Sequence, residues 1–173
     1  MSATTALIAT ADLSQEETEE LAAMKRVVYP NSPPATREWA PREWGVFVRS
    51  DGQLVSYTGI VIRAASVDGA PVVIGGIGGV ATHPGHRGKG YAPLGMARAL
   101  DYMLSRDVDF ALLVCQEELV DYYSKLGWHR FGGRLLETQH GKPEVFTFNE
   151  VMVGDLGSLA PATGTIDLQG PAW

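Results

Sequence analysis

A chain of 173 residues with 45% hydrophobic and 20% charged residues fits a single domain, residues 1–173, with no room for a second catalytic one. Fourteen Lys and Arg against 20 Asp and Glu leave a net charge of −6, which argues against a nucleic-acid partner and makes a cationic one the expectation. The N-terminal Met1–Thr10 segment has neither the basic flank of a signal peptide nor the apolar length of a membrane span, so the expected protein is soluble, with no membrane partner.

In chain order, residues 5–10 alternate weakly, and Ser14 and Glu17 then take capping-box spacing, with Leu13 placed as a staple. They predict a helix over residues 14–29, with Leu21, Met24, Val27 and Val28 as its apolar stripe and Pro30–Pro34 as its stop. Residues 36–44 predict a short helix interrupted by Pro41; it carries Glu38, Trp39, Glu43 and Trp44, whose tryptophans either line a pocket or pack. From Gly45 the pattern is β-rich, an antiparallel meander with turns at Asp51-Gly52 and Asp68-Gly69. The next strand carries Gly75, Gly76, Gly78 and Gly79, the mark of a bulge, a splay or a ligand against the backbone. A helix is expected over residues 90–106, with Leu94, Ala97, Leu100 and Leu104 on one face. A strand over 109–115, a short helix over 119–126, and a final strand pair at 128–136 and 145–152 follow. The lone Cys115 lies in the buried run Phe110–Cys115, which reads as neither disulfide nor metal site, so no metal and a reducing cytoplasm are expected. The Gly- and Pro-rich tail from Gly154 holds Ile166, Leu168 and Trp173, and is expected to dock.

The informative stretch is Val80-Ala81-Thr82-His83-Pro84-Gly85-His86-Arg87-Gly88-Lys89-Gly90-Tyr91-Ala92, a strand followed by a Gly-rich turn that opens a helix. Such a turn aims backbone N–H groups and the positive end of a helix dipole at one point, where an anion such as a pyrophosphate is stabilised. It is neither a Walker loop nor a dinucleotide fingerprint.

Arg87–Ala92 matches the (Gln/Arg)-x-x-Gly-x-(Gly/Ala) signature of the GNAT superfamily of N-acetyltransferases, and Tyr122-Tyr123-Ser-Lys-Leu-Gly127-Trp128 resembles that family's aromatic-Tyr-x-x-x-Gly-aromatic element. The resemblance spans roughly residues 45–152. It implies an α/β (α+β) fold with a mixed, splayed sheet flanked by helices, acetyl-CoA in the splay, and its pyrophosphate on the turn. On that resemblance Val80, Ala81 and Thr82 lie along the pantetheine, Arg87, Gly88, Lys89, Gly90, Tyr91 and Ala92 surround the pyrophosphate, and Gln116 stands where many members bond the pantetheine arm through an Asn. Tyr123 takes the place of the acid that protonates the departing thiolate, for which a phenol is suited at neutral pH.

Within the superfamily the chain is most similar to the aminoglycoside 2′-N-acetyltransferases, from Ala11-Asp-Leu-Ser14 to the closing Gly170-Pro-Ala-Trp173. That resemblance implies a cytoplasmic enzyme acting on an aminoglycoside-type, kasugamycin-like amine, with Trp173 supplying an aromatic wall and a carboxylate, and a homodimer as the family-level expectation. Glu38 beside Trp39, Glu117, Glu118 and Asp167 are the further carboxylates on hand for a cationic acceptor. The subfamily has an acidic residue where this chain has Gly78, so the base falls to the Trp173 carboxylate, His83 or Glu117. Two other readings use the same residues: acetylation of a peptide, lysine or polyamine amine, and an idle CoA-binding module.

Overall fold

The computed structural model describes residues 3–31 and 36–173. Ten strands form one mixed sheet: β1 (Ala3–Ala9), β2 (Trp44–Ser50), β3 (Gln53–Val67), β4 (Ala70–Thr82), β5 (Phe110–Cys115), β6 (His129–Arg130), β7 (Arg134–Gln139), β8 (Lys142–Val145), β9 (Glu150–Asp155) and β10 (Thr165–Asp167). The main path runs β6-β9-β5-β4-β3-β10-β7-β8, and β2 pairs with both β1 and β3. Among the described residues three α-helices, α1 (Gln15–Val28), α2 (Tyr91–Leu104) and α3 (Val120–Lys125), and three short 3-10 turns complete the fold.

The start of α1 follows the sequence closely. The Ser14 hydroxyl accepts from the Glu17 N–H while the Glu17 carboxylate accepts from the Ser14 N–H, so two otherwise orphaned donors are satisfied. Part of the stop expected at Pro30–Pro34, residues 32–35, lies outside the described residues. Residues 36–43 of the short helix expected over 36–44 are irregular instead, with the Ala40 N–H on the Ala172 carbonyl and the Glu43 N–H on the Ile60 carbonyl, and Trp44 opens β2. Backbone partners from the tail and β3 replace the bonds a helix would have made, and Pro41 would have broken one of those in any case.

On α2 the buried face is Tyr91, Gly95, Met96, Ala99 and Met103, whereas of the expected face Leu94, Ala97 and Leu104 are exposed and Leu100 is half-buried. Small residues set the phase here. A Cβ on Gly95 would stand 2.9 Å from the Thr58 hydroxyl, so the helix lies closer to the sheet than a leucine face would permit. The expected closing strand pair divides into four strands: β9 joins β5 and β6, while β7 joins β8 and β10.

Buried apolar side chains form three clusters, one of them Leu21, Met24, Phe47, Leu54, Tyr57 and Ala81 beneath α1, and the other two larger. Met96, Ala99 and Met103 of α2 pack with Ile60, Ile77, Leu113 and Tyr123 in one of these two; Ile74, Leu112, Leu135, Ile166, Leu168 and Trp173 belong to the other. The tail therefore docks, as its apolar residues suggest, with β10 inserted antiparallel to β3 and parallel to β7.

Candidate active site

The site begins where two parallel strands part. Strands β4 and β5 pair from Ile74/Phe110 to Ile77/Leu113 and then separate, while β4 stays paired to β3 as far as Thr82. The β3–β4 register shifts at Tyr57–Gly59, opposite Gly79, whose φ of +62° is a bulge conformation that a glycine adopts without strain. The glycines singled out in the sequence thus have distinct tasks: Gly75 makes room for Met103, Gly76 for the Trp173 indole, and Gly79 for the bulge.

Two cavities occupy the gap. The larger, about 730 Å³, is lined by Val80, Thr82, Arg87, Gly88, Gly90, Tyr91, Ala92, Gln116 and Tyr123 among others. The smaller, about 280 Å³, lies within the splay against Gly78, Gly79, Val80, Cys115, Gln116, Tyr123 and Asn149. Gly90 is the N-cap of α2 at φ +80°, so the free N–H groups of Tyr91 and Ala92 open the helix toward the larger cavity. A nearby Arg87 and two left-handed glycines, Gly88 and Gly90, with open space at both Cβ positions, make the cradle expected for an anion.

Tyr123 reaches both cavities from α3, and its hydroxyl has no hydrogen-bond partner among the described residues. Burial, followed by the neighbouring Cys115, Tyr122 and Tyr29, pushes its phenol far above its ordinary value, so it holds its proton throughout the neutral range. Burial also pushes the Cys115 thiol up to about 11, which keeps it protonated and inert.

Other expected residues lie elsewhere. The Ala81 side chain is buried with Leu21, Met24 and Tyr57 on the α1 side, because strand alternation turns it away from the gap. Lys89 is exposed and lines neither cavity. Glu38 accepts the His140 N–H, and Trp39 packs edge-on to Phe148 with the Arg37 guanidinium over its ring; neither lines either cavity. Glu117 is exposed and paired to Arg130, whose guanidinium holds its carboxyl below the usual range. His83 accepts the Gly85 N–H through Nδ1 and shapes the turn.

Trp173 is 2% exposed and donates its indole N–H to the Leu112 carbonyl, so its ring is a core residue rather than an open wall. Its main-chain carbon nonetheless arrives beside the splay, 3.3 Å from where a Gly78 Cβ would stand. The buried Glu137 carboxylate helps to hold it there, pairing with Arg37 and accepting from Gln139 Nε2 and the Ala172 N–H.

Three residues escaped the sequence reading. Tyr29, just past α1, donates its hydroxyl to the Val80 carbonyl at 2.6 Å and lines both cavities. His86 lines the larger cavity, and its buried Nδ1 has no hydrogen-bond partner among the described residues. Arg42 lies across Gly78 and Gly79. Tyr29 and Arg42 belong to no local motif and are brought to the gap by long-range packing, whereas His86 sits one residue before Arg87 in the Gly-rich stretch and was passed over there. Among the described residues no cluster of three or more His, Cys, Asp or Glu is arranged to hold a metal, and no helix is long and apolar enough to cross a membrane.

Comparison with known proteins agrees with this geometry. No curated protein sequence matches the chain. Among solved structures, Escherichia coli ElaA aligns at a TM-score of 0.65 and 16% identity, covering 89% of this chain and 100% of that one. The E. coli GNAT family N-acetyltransferase YhbS, in complex with CoA, aligns at 0.63 and 17%, covering 96% and 89%. An acyl-CoA N-acyltransferase from Pseudomonas aeruginosa aligns at 0.63 and 22%, covering 88% and 99%. At these identities the likeness establishes the fold. Residues 10–131 match the model of the acetyltransferase (GNAT) domain, so the chain belongs to the GNAT acetyltransferase family and is an acyltransferase.

Proposed function

We propose that the protein transfers an acetyl group from acetyl-CoA to the primary amine of a small molecule. The observation that carries this reading is the alignment, along one gap between β4 and β5, of an anion cradle at the α2 N-terminus and the unpartnered Tyr123 hydroxyl. The residues present fit the co-substrate. Gly88, Gly90, Tyr91 and Ala92, with Arg87, hold the pyrophosphate; Val80, Thr82 and Gln116 lie along the pantetheine.

Acetyl-CoA supplies an activated acyl carbon. The amine lone pair forms the C–N bond as the C–S bond breaks, the thiolate takes the Tyr123 proton, and the ammonium form of the acceptor releases two protons overall, one of which restores the phenol. Burial that disfavours a phenolate disfavours a thiolate in the same place, so the two groups remain matched for proton transfer. Of the base candidates, His83 and Glu117 are engaged elsewhere, which leaves water or a carboxyl group on Trp173 at Gly78 to take the ammonium proton.

An aminoglycoside-type amino sugar is one acceptor within this reading, supported by the net charge of −6. The local chemistry weighs toward a smaller and less cationic one: among the described residues no Asp or Glu side chain lines either cavity.

The test follows free thiol released from acetyl-CoA over a panel of amines, with wild type and Tyr123→Phe. The expected result is turnover by wild type, and unchanged CoA binding with a roughly 10²–10⁴-fold loss of turnover in the variant. Tight CoA binding with no thiol release for any amine would instead make the chain an idle CoA-binding module.

A further inference from the structure

We propose that the acceptor carries a carboxylate close to its amine, and that Arg42 recognises it. This rests on the acetyltransferase reading above and names the acceptor's chemical class.

Three glycines clear a track for one side chain. A Cβ on Gly59 would stand 2.6 Å from Arg42 Cγ, one on Gly78 3.3 Å from both Nε and an Nη, and one on Gly79 3.7 Å from the guanidinium carbon. The last two glycines also line the smaller cavity; Arg42 itself is in neither lining, so the guanidinium lies behind these glycines, beside the splay. Side chains at these positions would fill the space that Arg42 takes.

The charge of Arg42 is not used by the fold. Arg37 is paired to Glu137, Arg49 to Glu20 and Arg130 to Glu117 and Glu150, while Arg63 donates to the Pro171 carbonyl. Arg42 makes no side-chain hydrogen bond or ion pair among the described residues, and its Nε is buried without a partner. Its field is still felt, since it opposes the upward shift of Tyr29 and Tyr57 and adds to the lowering of Lys25. Of the acidic groups nearby, Glu43 acts on Arg63 and Glu137 is spent on Arg37, while the Trp173 main-chain carbon, 3.3 Å from the same Gly78 Cβ position as the guanidinium, forms no ion pair with Arg42 among the described residues.

A guanidinium held beside the splay with free donors matches a planar anion, and a carboxylate is the planar anion that accompanies an amine in amino acids. A polycation would be repelled from the same place. The acceptor class is therefore an α- or β-amino acid, whose carboxylate on Arg42 presents the amine to the splay.

The experiment compares matched acceptors, each amino acid with its carboxamide and its decarboxylated amine, in wild type, Arg42→Gln and Arg42→Lys. Thiol release gives kcat and KM, and calorimetry on the CoA-bound protein gives binding independently of turnover. Wild type is expected to prefer the acid to its carboxamide, and Arg42→Gln to raise KM for the acid about ten- to a hundredfold and erase that preference, with acetyl-CoA affinity unchanged. Arg42→Lys should retain part of the preference. The inference is overturned if wild type uses or binds the carboxamide as well as the acid, or if Arg42→Gln weakens all acceptors equally, which would make Arg42 an anchor for the Trp173 end of the tail. Carboxylate-selective binding lost in Arg42→Gln, but without thiol release from any amine, would uphold the Arg42 assignment and overturn the acetyltransferase reading.

Discussion

The Tyr29 hydroxyl donates to the Val80 carbonyl at 2.6 Å, on the β4 edge that the splay leaves without a strand partner. A neighbouring edge acceptor is also covered, because Arg87 Nε reaches the Thr82 carbonyl at 3.4 Å. On the proposed function these two carbonyls are the ones along which pantetheine would lie, so its binding would exchange a side-chain donor for a ligand donor.

Tyr29→Phe leaves the Val80 carbonyl free. A net hydrogen bond of about 1 kcal/mol no longer has to be broken, so CoA affinity should rise about fivefold. Calorimetric titration of the variant checks this; unchanged or weaker binding would mean that Tyr29 moves without cost or itself holds the ligand.

Gly76 and Gly88 should fail in different ways. A Cβ on Gly76 overlaps the Trp173 indole, so Gly76→Ala is expected to cost about 1–3 kcal/mol and to shift the near-UV signal of a displaced tryptophan. Gly88 at φ +75° has open space around it, so Gly88→Ala meets only backbone strain of about 1–2 kcal/mol. Its larger effect should be on CoA binding, because relaxing that strain would misdirect the cradle.

Glu137→Ala leaves Arg37 without its carboxylate and the Ala172 N–H without its acceptor. Breaking a buried pair from one side costs about 3–5 kcal/mol, and the loss should appear in urea unfolding. Limited proteolysis should show the tail cut before the rest of the chain.

Cys115 gives the protein an alkaline limit. Its thiol rises from about 9 to about 11 on folding, so the folded state binds the proton more tightly than the unfolded chain. That contribution is fully present below pH 9 and is lost as the pH rises toward 11. A plot of Tm against pH should fall less steeply over this interval in Cys115→Ala than in wild type.

Local patterns carried much of this protein in its sequence. The capping box at Ser14, the Gly-rich turn before α2 and the spacing of Tyr123 are decided by neighbours a few residues apart, because they depend on backbone dihedrals and on the orphaned N–H groups of helix ends. The family resemblance carried by the two motifs implied the splayed sheet. What lay beyond the sequence depended on contacts across the chain. Whether Gly95 and Ala99, rather than Leu94 and Leu104, face the sheet is set by how closely two surfaces approach. That Glu38 and Glu117 turn to His140 and Arg130 is set by partners the strand order brings within reach. Tyr29 bonds a carbonyl 51 residues away, and Arg42 lies across glycines of two distant strands. Helix ends and turns are short-range physics, whereas which side chains are left unpaired beside the splay depends on the strand order of the whole sheet.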